Sequence, residues 1–160
     1  MIHPAAADMC SSSFEATAIQ TSVVALFSQG EADRLQATCR GLGAITSLLR
    51  AAGAARRSER MLRVVQGRAE ERVAFLLLEL ALRTDRATAL AREPCTLHLS
   101  QRAIGEMTGL SSVHVCRVVN RIGQRGTLRA QRGRIELLDL ADLSALACVE
   151  PEALAHAILV

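Results

Sequence analysis

The spacing of apolar residues changes several times along the chain, and each change marks an element. Residues 1–13 are small and polar and are expected to be disordered. FEATAIQTSVVALF (14–27), rich in β-branched residues and alanine, reads as strand-like, and SQGEADRLQATCRGLG after it reads as helix. From Leu42 to about Gln66 the pattern is a long helix, with Leu48, Ala51, Ala55, Ser58, Leu62 and Val65 at alternating spacings of three and four. Such a narrow seam of small and aliphatic residues suits close packing of two helices. The pattern alone leaves open whether the partner is a second subunit or the helix's own domain.

RAEERVAFLLLELALRTD (68–85) carries apolar residues at 73, 75–78, 80 and 82 and charges in its first turn. It is too short to span a bilayer and is expected to be a core helix. Pro94 punctuates, and TLHL (96–99) alternates like a short strand. Ser100 is placed to cap QRAIGEMT, with Gly109 supplying the turn after it. Ser111 can then cap SVHVCRVVNRIGQ, whose Val113, Val115, Val118, Val119 and Ile122 are apolar while its other side is small or polar. LRAQ and RIELLDL flank Arg132-Gly133 as a two-stranded hairpin, and residues 141–147 and 152–158 suggest terminal helical turns.

Two short helices joined by a glycine turn are the mark of a helix-turn-helix. Ile104, Leu110, Val115 and Val118 fall where that motif needs core contacts, Gly105 where the helices cross, and Gly109 where the turn needs positive φ. A plain helical hairpin would show much of this pattern, but the arginine-rich hairpin that follows favours a winged helix-turn-helix.

Composition narrows the picture. At 160 residues the chain suits one domain, or a small domain with a helical arm. Half of it is apolar but only three residues are aromatic, which favours packed helices over an all-β fold. The net charge of +3 is modest, yet from Met107 to Ile135 there are six arginines and no acid, as expected for a face that meets a polyanion. The five cysteines are scattered, with no C-x-x-C spacing, so no zinc module or disulfide framework is indicated. No apolar run reaches membrane-spanning length and the N-terminus lacks the order of a signal peptide, so a soluble cytoplasmic protein is expected, with no membrane partner.

TLHLSQRAIGEMTGLSSVHVCRVVNRIGQRGTLRAQRGRIELLDLADLSALA resembles the C-terminal DNA-binding domain of the CRP/FNR superfamily of bacterial transcription regulators. GRAEERVAFLLLEL looks like the helix that precedes that domain, and residues 42–66 lie where the family has its long dimerisation helix. EATAIQTSVVALFSQGEADRL resembles the last strands and following helix of the family's effector-binding β-roll, most of which is expected to be missing. The resemblance implies a mainly α fold with a small β-wing: residues 1–41 an arm and β-roll remnant, 42–67 a dimerisation helix, 68–160 a winged helix-turn-helix.

It also implies roles. The recognition helix, 111–124, would enter the major groove, with Arg117 on the position that contacts guanine and Ser112, Val113 and Cys116 on neighbouring base-contacting positions. The best-known family members carry Glu where Val113 stands, so the resemblance implies that a cytosine-amino contact is missing and a thymine-methyl contact is open to Val113. Ser100, Arg102, Ser111 and His114 fall on or beside phosphate-contacting places, and Arg129, Arg132 and Arg134 in the wing would add backbone attraction. Leu48, Ala51, Ala55, Ser58, Leu62 and Val65 would form a homodimer seam on a palindromic DNA operator, with RNA polymerase as a further partner. No cofactor is expected.

The four histidines are isolated, and no G-x-S-x-G or phosphate-cradling loop appears, so catalysis is not expected. An iron–sulfur sensor would need clustered N-terminal thiols, and only Cys10 lies there. The alternative reading is a non-regulatory chain that pairs with a full-length relative, or a truncated gene remnant. In either case Ile19, Val23, Val24, Leu26 and Phe27 are expected to be exposed or loosely packed.

Overall fold

The computed structural model describes Ala18, Thr21, residues 23–39 and residues 41–159. Phe14, Ile19 and much of the stretch read as strand-like lie outside these. Its described part, Ala18, Thr21 and residues 23–27, forms no strand, and Val23, Val24, Leu26 and Phe27 are exposed. Strand propensity expresses itself only where a neighbouring strand completes the hydrogen bonds, and none among the described residues pairs with it. The chain turns helical at Ser28, whose hydroxyl accepts the Glu31 N–H at 3.3 Å while Glu31 accepts the Ser28 N–H at 2.8 Å. This capping box starts α1 (Gln29–Thr38), none of whose residues is buried.

α2 (Leu42–Gln66) is the 25-residue helix anticipated from the seam. At 1.5 Å per residue it is about 37 Å long. α3 (Ala69–Thr84) is the centre of the core: Val73, Leu77, Leu78 and Leu82 are fully enclosed. A short α4 (Arg86–Leu90), capped by Asp85 through the Thr88 N–H at 3.1 Å, was not anticipated.

β1 (Cys95–His98) leads into α5 (Gln101–Thr108) and α6 (Ser112–Gln124), followed by β2 (Leu128–Gln131), β3 (Arg134–Leu137), α7 (Leu140–Ala147) and α8 (Pro151–Leu159). The expected hairpin and the separate short strand join into one antiparallel sheet of order β1-β3-β2, with Leu97 opposite Ile135 and Leu128 opposite Leu137. These inward residues meet Ile104, Val115, Val118, Val119 and Ile122 from the helix pair and Leu140 and Leu143 from α7, all closing over α3. The fold is thus mainly α with a small winged sheet.

α2 has two faces. One packs on the domain: Ala52 and Gly53 are buried, Arg60 pairs with Glu79 of α3 at 2.7 and 3.0 Å, and Arg63 lies 4.9 Å above the Phe75 ring and donates to the Ala147 carbonyl. The seam residues Leu48, Ala51, Ala55, Ser58, Leu62 and Val65 are on the other and are all exposed. Ile45 and Met61 extend that apolar exposure. No described helix is long and apolar enough to cross a membrane.

Candidate nucleic-acid interface

The two-helix unit is built by caps and one close approach. The Ser100 hydroxyl accepts the Ala103 N–H at 3.1 Å and starts α5. α5 ends at Gly109, in the left-handed region at φ 70°, which lets Leu110 N–H return to the Gly105 carbonyl at 3.0 Å. A Cβ on Gly105 would lie 2.5 Å from the Leu110 carbonyl oxygen, so only glycine permits the crossing. Ser111 then accepts the His114 N–H at 3.3 Å and starts α6.

α6 buries Val115, Val118, Val119 and Ile122 and turns Ser112, Val113, His114, Arg117, Asn120 and Arg121 outward. Val113 is 63% exposed and therefore not a core residue, while Cys116 is half-buried and accepts a hydrogen bond from Asn120 at 3.7 Å. Asn120, one turn beyond Cys116 on the outward stripe, was overlooked as a candidate. Its place at i+3 from Arg117 would have suggested it.

The acid-free run of arginines is not a uniformly free basic surface. Of the seven arginines from Arg102 to Arg134, five are ion-paired. Arg102 meets Glu106 at 2.9 Å, Arg121 meets Glu70 of α3 at 2.6 Å, and Arg125 meets Asp142 of α7 at 2.7 Å. Glu136 takes Arg129 at 3.5 Å and Arg134 at 3.3 Å. The Arg125 hydrogen bond, with a second from the Thr127 hydroxyl, holds Asp142 below the usual carboxylate range, and Asp142 in turn raises Arg125. Arg117 and Arg132 have no such partner among the described residues.

The wing turn uses two positive-φ residues, Arg132 at 45° and Gly133 at 80°, as a tight primed hairpin requires. The Gly133 carbonyl accepts the Leu99 N–H at 2.8 Å, fastening the wing tip beside the start of α5. Ser100, Arg132 and Arg134 consequently line one shallow basin, and Arg129, Arg132 and Arg134 share another with His98 and Gln131 around Glu136. Ser111, Ser112, Val113, His114 and Arg117 are gathered at the exposed front of α6, whereas Arg102 is drawn to Glu106. The seam residues are on α2, apart from this set. Among the described residues no group of histidine, cysteine and acidic side chains could hold a metal ion.

A helix pair crossing at a glycine, followed by a hairpin wing on the same core, is a winged helix-turn-helix. Residues 71–146 match the model of the Crp-like helix-turn-helix domain, and this segment is a DNA-binding domain of the Crp type. A solved structure of a CRP/FNR-family transcriptional regulator from Thermus thermophilus is similar, with 25% identity and a TM-score of 0.49, over 59% of this chain and 48% of that one. The chain therefore aligns with about half the length of that regulator. No curated protein matches the sequence.

Proposed function

We propose that the chain is a sequence-specific DNA-binding transcription regulator that acts as a homodimer on a roughly palindromic operator. Residues 42–67 serve as the dimerisation helix and 68–160 as the DNA-binding domain, with α6 in the major groove. The observation that carries the reading is the exposed Arg117, unpartnered among the described residues, in the middle of the outward face of α6, on a surface where most other arginines are already held. A guanidinium with no internal partner is available for the paired acceptors of a guanine edge. Ser112, Val113 and Cys116 flank it as the remaining base-contacting residues.

Ser100, Ser111 and His114 set the register on the phosphate backbone, with Arg102 reaching it at the expense of Glu106. Arg132 meets the backbone unaided, and Arg129 and Arg134 do so in exchange for Glu136. Pairing of two α2 seams places the recognition helices in successive major grooves, about 34 Å apart. Such a regulator works in the cytoplasm, where RNA polymerase would be its further partner.

The test is Arg117→Ala, assayed by fluorescence anisotropy on a selected palindromic duplex and on scrambled DNA. With one guanine contact in each half-site, the variant is expected to lose about 2–6 kcal/mol of discrimination in total while keeping its affinity for scrambled DNA. Unchanged selectivity would remove Arg117 from the reading.

A further inference from the structure

We propose that Glu136 is an internal stand-in for a DNA phosphate: it occupies Arg129 and Arg134 when DNA is absent and so holds down the attraction of the wing for DNA of any sequence. The proposal rests on the DNA-binding reading above and adds to it a residue that sets selectivity without touching a base.

The placement of Glu136 carries the argument. On the outward side of the sheet, Glu136 of the central strand β3 stands between Thr96 of β1 and Arg129 of β2, and Arg134 stands between His98 and Gln131 in the next row. One carboxylate oxygen faces Arg129 at 3.5 Å and the other faces Arg134 at 3.3 Å. Two oxygens of one anion shared between two guanidiniums is also how a backbone phosphate would be held. Both distances exceed the 2.7–2.9 Å or so of a tight charged hydrogen bond, and both arginines are exposed, so the pairs are loose enough to exchange.

Two of the other three held arginines differ. Glu70 and Asp142 bind Arg121 and Arg125 at 2.6 and 2.7 Å and tie α6 to α3 and α7, so those pairs join separate elements. Glu136 joins neighbouring strands that the backbone ladder already joins, and adds little to the fold. Its effect falls on charge instead. It is the carboxylate among Arg129, Arg132 and Arg134 in the basin they line, and without it that basin carries three unopposed guanidiniums.

Each phosphate neutralised steepens the salt dependence of DNA binding by about 0.9 in the log–log slope. A wing that must give up Glu136 to engage phosphate therefore gains little from random sequence. The Arg117 contact then makes a larger share of binding to the right sequence, which raises selectivity by weakening the wrong complexes.

The experiment is a cycle of wild type, Glu136→Gln, Arg129→Ala with Arg134→Ala, and the three changes together. Each protein is measured on scrambled duplex and on the selected operator across a salt series, and each is eluted from heparin by salt. The proposal expects Glu136→Gln to tighten scrambled-duplex binding about ten-fold at low salt, steepen the slope by between about one and two, and delay elution from heparin. It also expects a smaller operator-to-scrambled ratio, and loss of these gains when both arginines are absent.

An equal effect of Glu136→Gln with the arginines absent would show a general charge effect and overturn the proposal, as would no change in slope or elution. If the wild type binds no duplex selectively while the arginine-dependent shift on heparin persists, the operator reading fails and the competition for polyanions stands.

Discussion

α2 and α6 are both amphipathic helices with one face sealed against the same domain, but their outward faces have opposite chemistry. α6 shows water Ser112, His114, Arg117, Asn120 and Arg121, with Val113 as its one large apolar residue. α2 shows Ile45, Leu48, Met61, Leu62 and Val65, the last 71% exposed. A polar face with an unpartnered guanidinium is stable in water and waits for a polar ligand. A contiguous apolar stripe is costly to leave wet, and its remedy is another apolar surface. The difference teaches that an amphipathic pattern alone does not say which side of a helix faces its own core.

The sharpest way to break the comparison is to give α2 the polarity of α6. Leu48→Asp with Leu62→Asp adds two charges per chain to the seam and leaves the face on α3 untouched. The expected outcome is a monomer by sedimentation, with an intact melting transition and operator affinity reduced by several orders of magnitude, since the half-sites are then bound separately. A dimer that survives both changes would take the seam out of the interface.

A second contrast lies in how the two helices are fastened. Glu79, only 1% exposed, receives Arg60 of α2 through both oxygens, with Arg83 3.9 Å away. Glu79→Ala leaves Arg60 and Arg83 facing a vacated site beneath α2. The expected loss is ~3 kcal/mol, at the lower end for breaking a buried pair, because Arg60 retains 32% exposure and can be rehydrated. Chemical denaturation measures it, and a loss below 1 kcal/mol would mean that the apolar contacts of α2 suffice.

Much of this was legible where structure is local. The caps Ser100 and Ser111, the Gly109 turn and the Arg132-Gly133 hairpin were read in place, because each depends on a side chain and the few residues beside it. The limits of α2 followed from its periodicity. The charge state of the interface was not legible in the same way. The run from Met107 to Ile135 contains no acid, yet four of its six arginines are met by Glu70, Glu136 and Asp142; the Arg134–Glu136 pair is local, but Glu70, Asp142 and the cross-strand pair of Glu136 with Arg129 come together only through folding. The strand-like reading of 14–27 failed over Val23–Phe27 for a related reason: β-branched residues report a preference whose fulfilment lies on another strand.

The smallest effect is expected at the exposed counterpart of the Glu79 pair, where Asp142 holds the C-terminal end of α6 through Arg125 and Thr127. Asp142→Asn keeps the shape, can still accept from Thr127 and loses the charge. About 1 kcal/mol of stability is the expected cost at neutral pH, because the pair is largely open to water. The pH dependence identifies the cause. Hydrogen bonds from Arg125 and Thr127 lower the Asp142 pKa from its ordinary 3.8, so its contribution is present above that value and disappears as pH falls through the lower folded value. The stability gap between wild type and Asp142→Asn should therefore be widest near neutrality and close in acid below pH 3.8. A gap that stays constant with pH would assign the loss to the altered hydrogen bond with Thr127, leaving α6 anchored by its buried valines and the Glu70 pair.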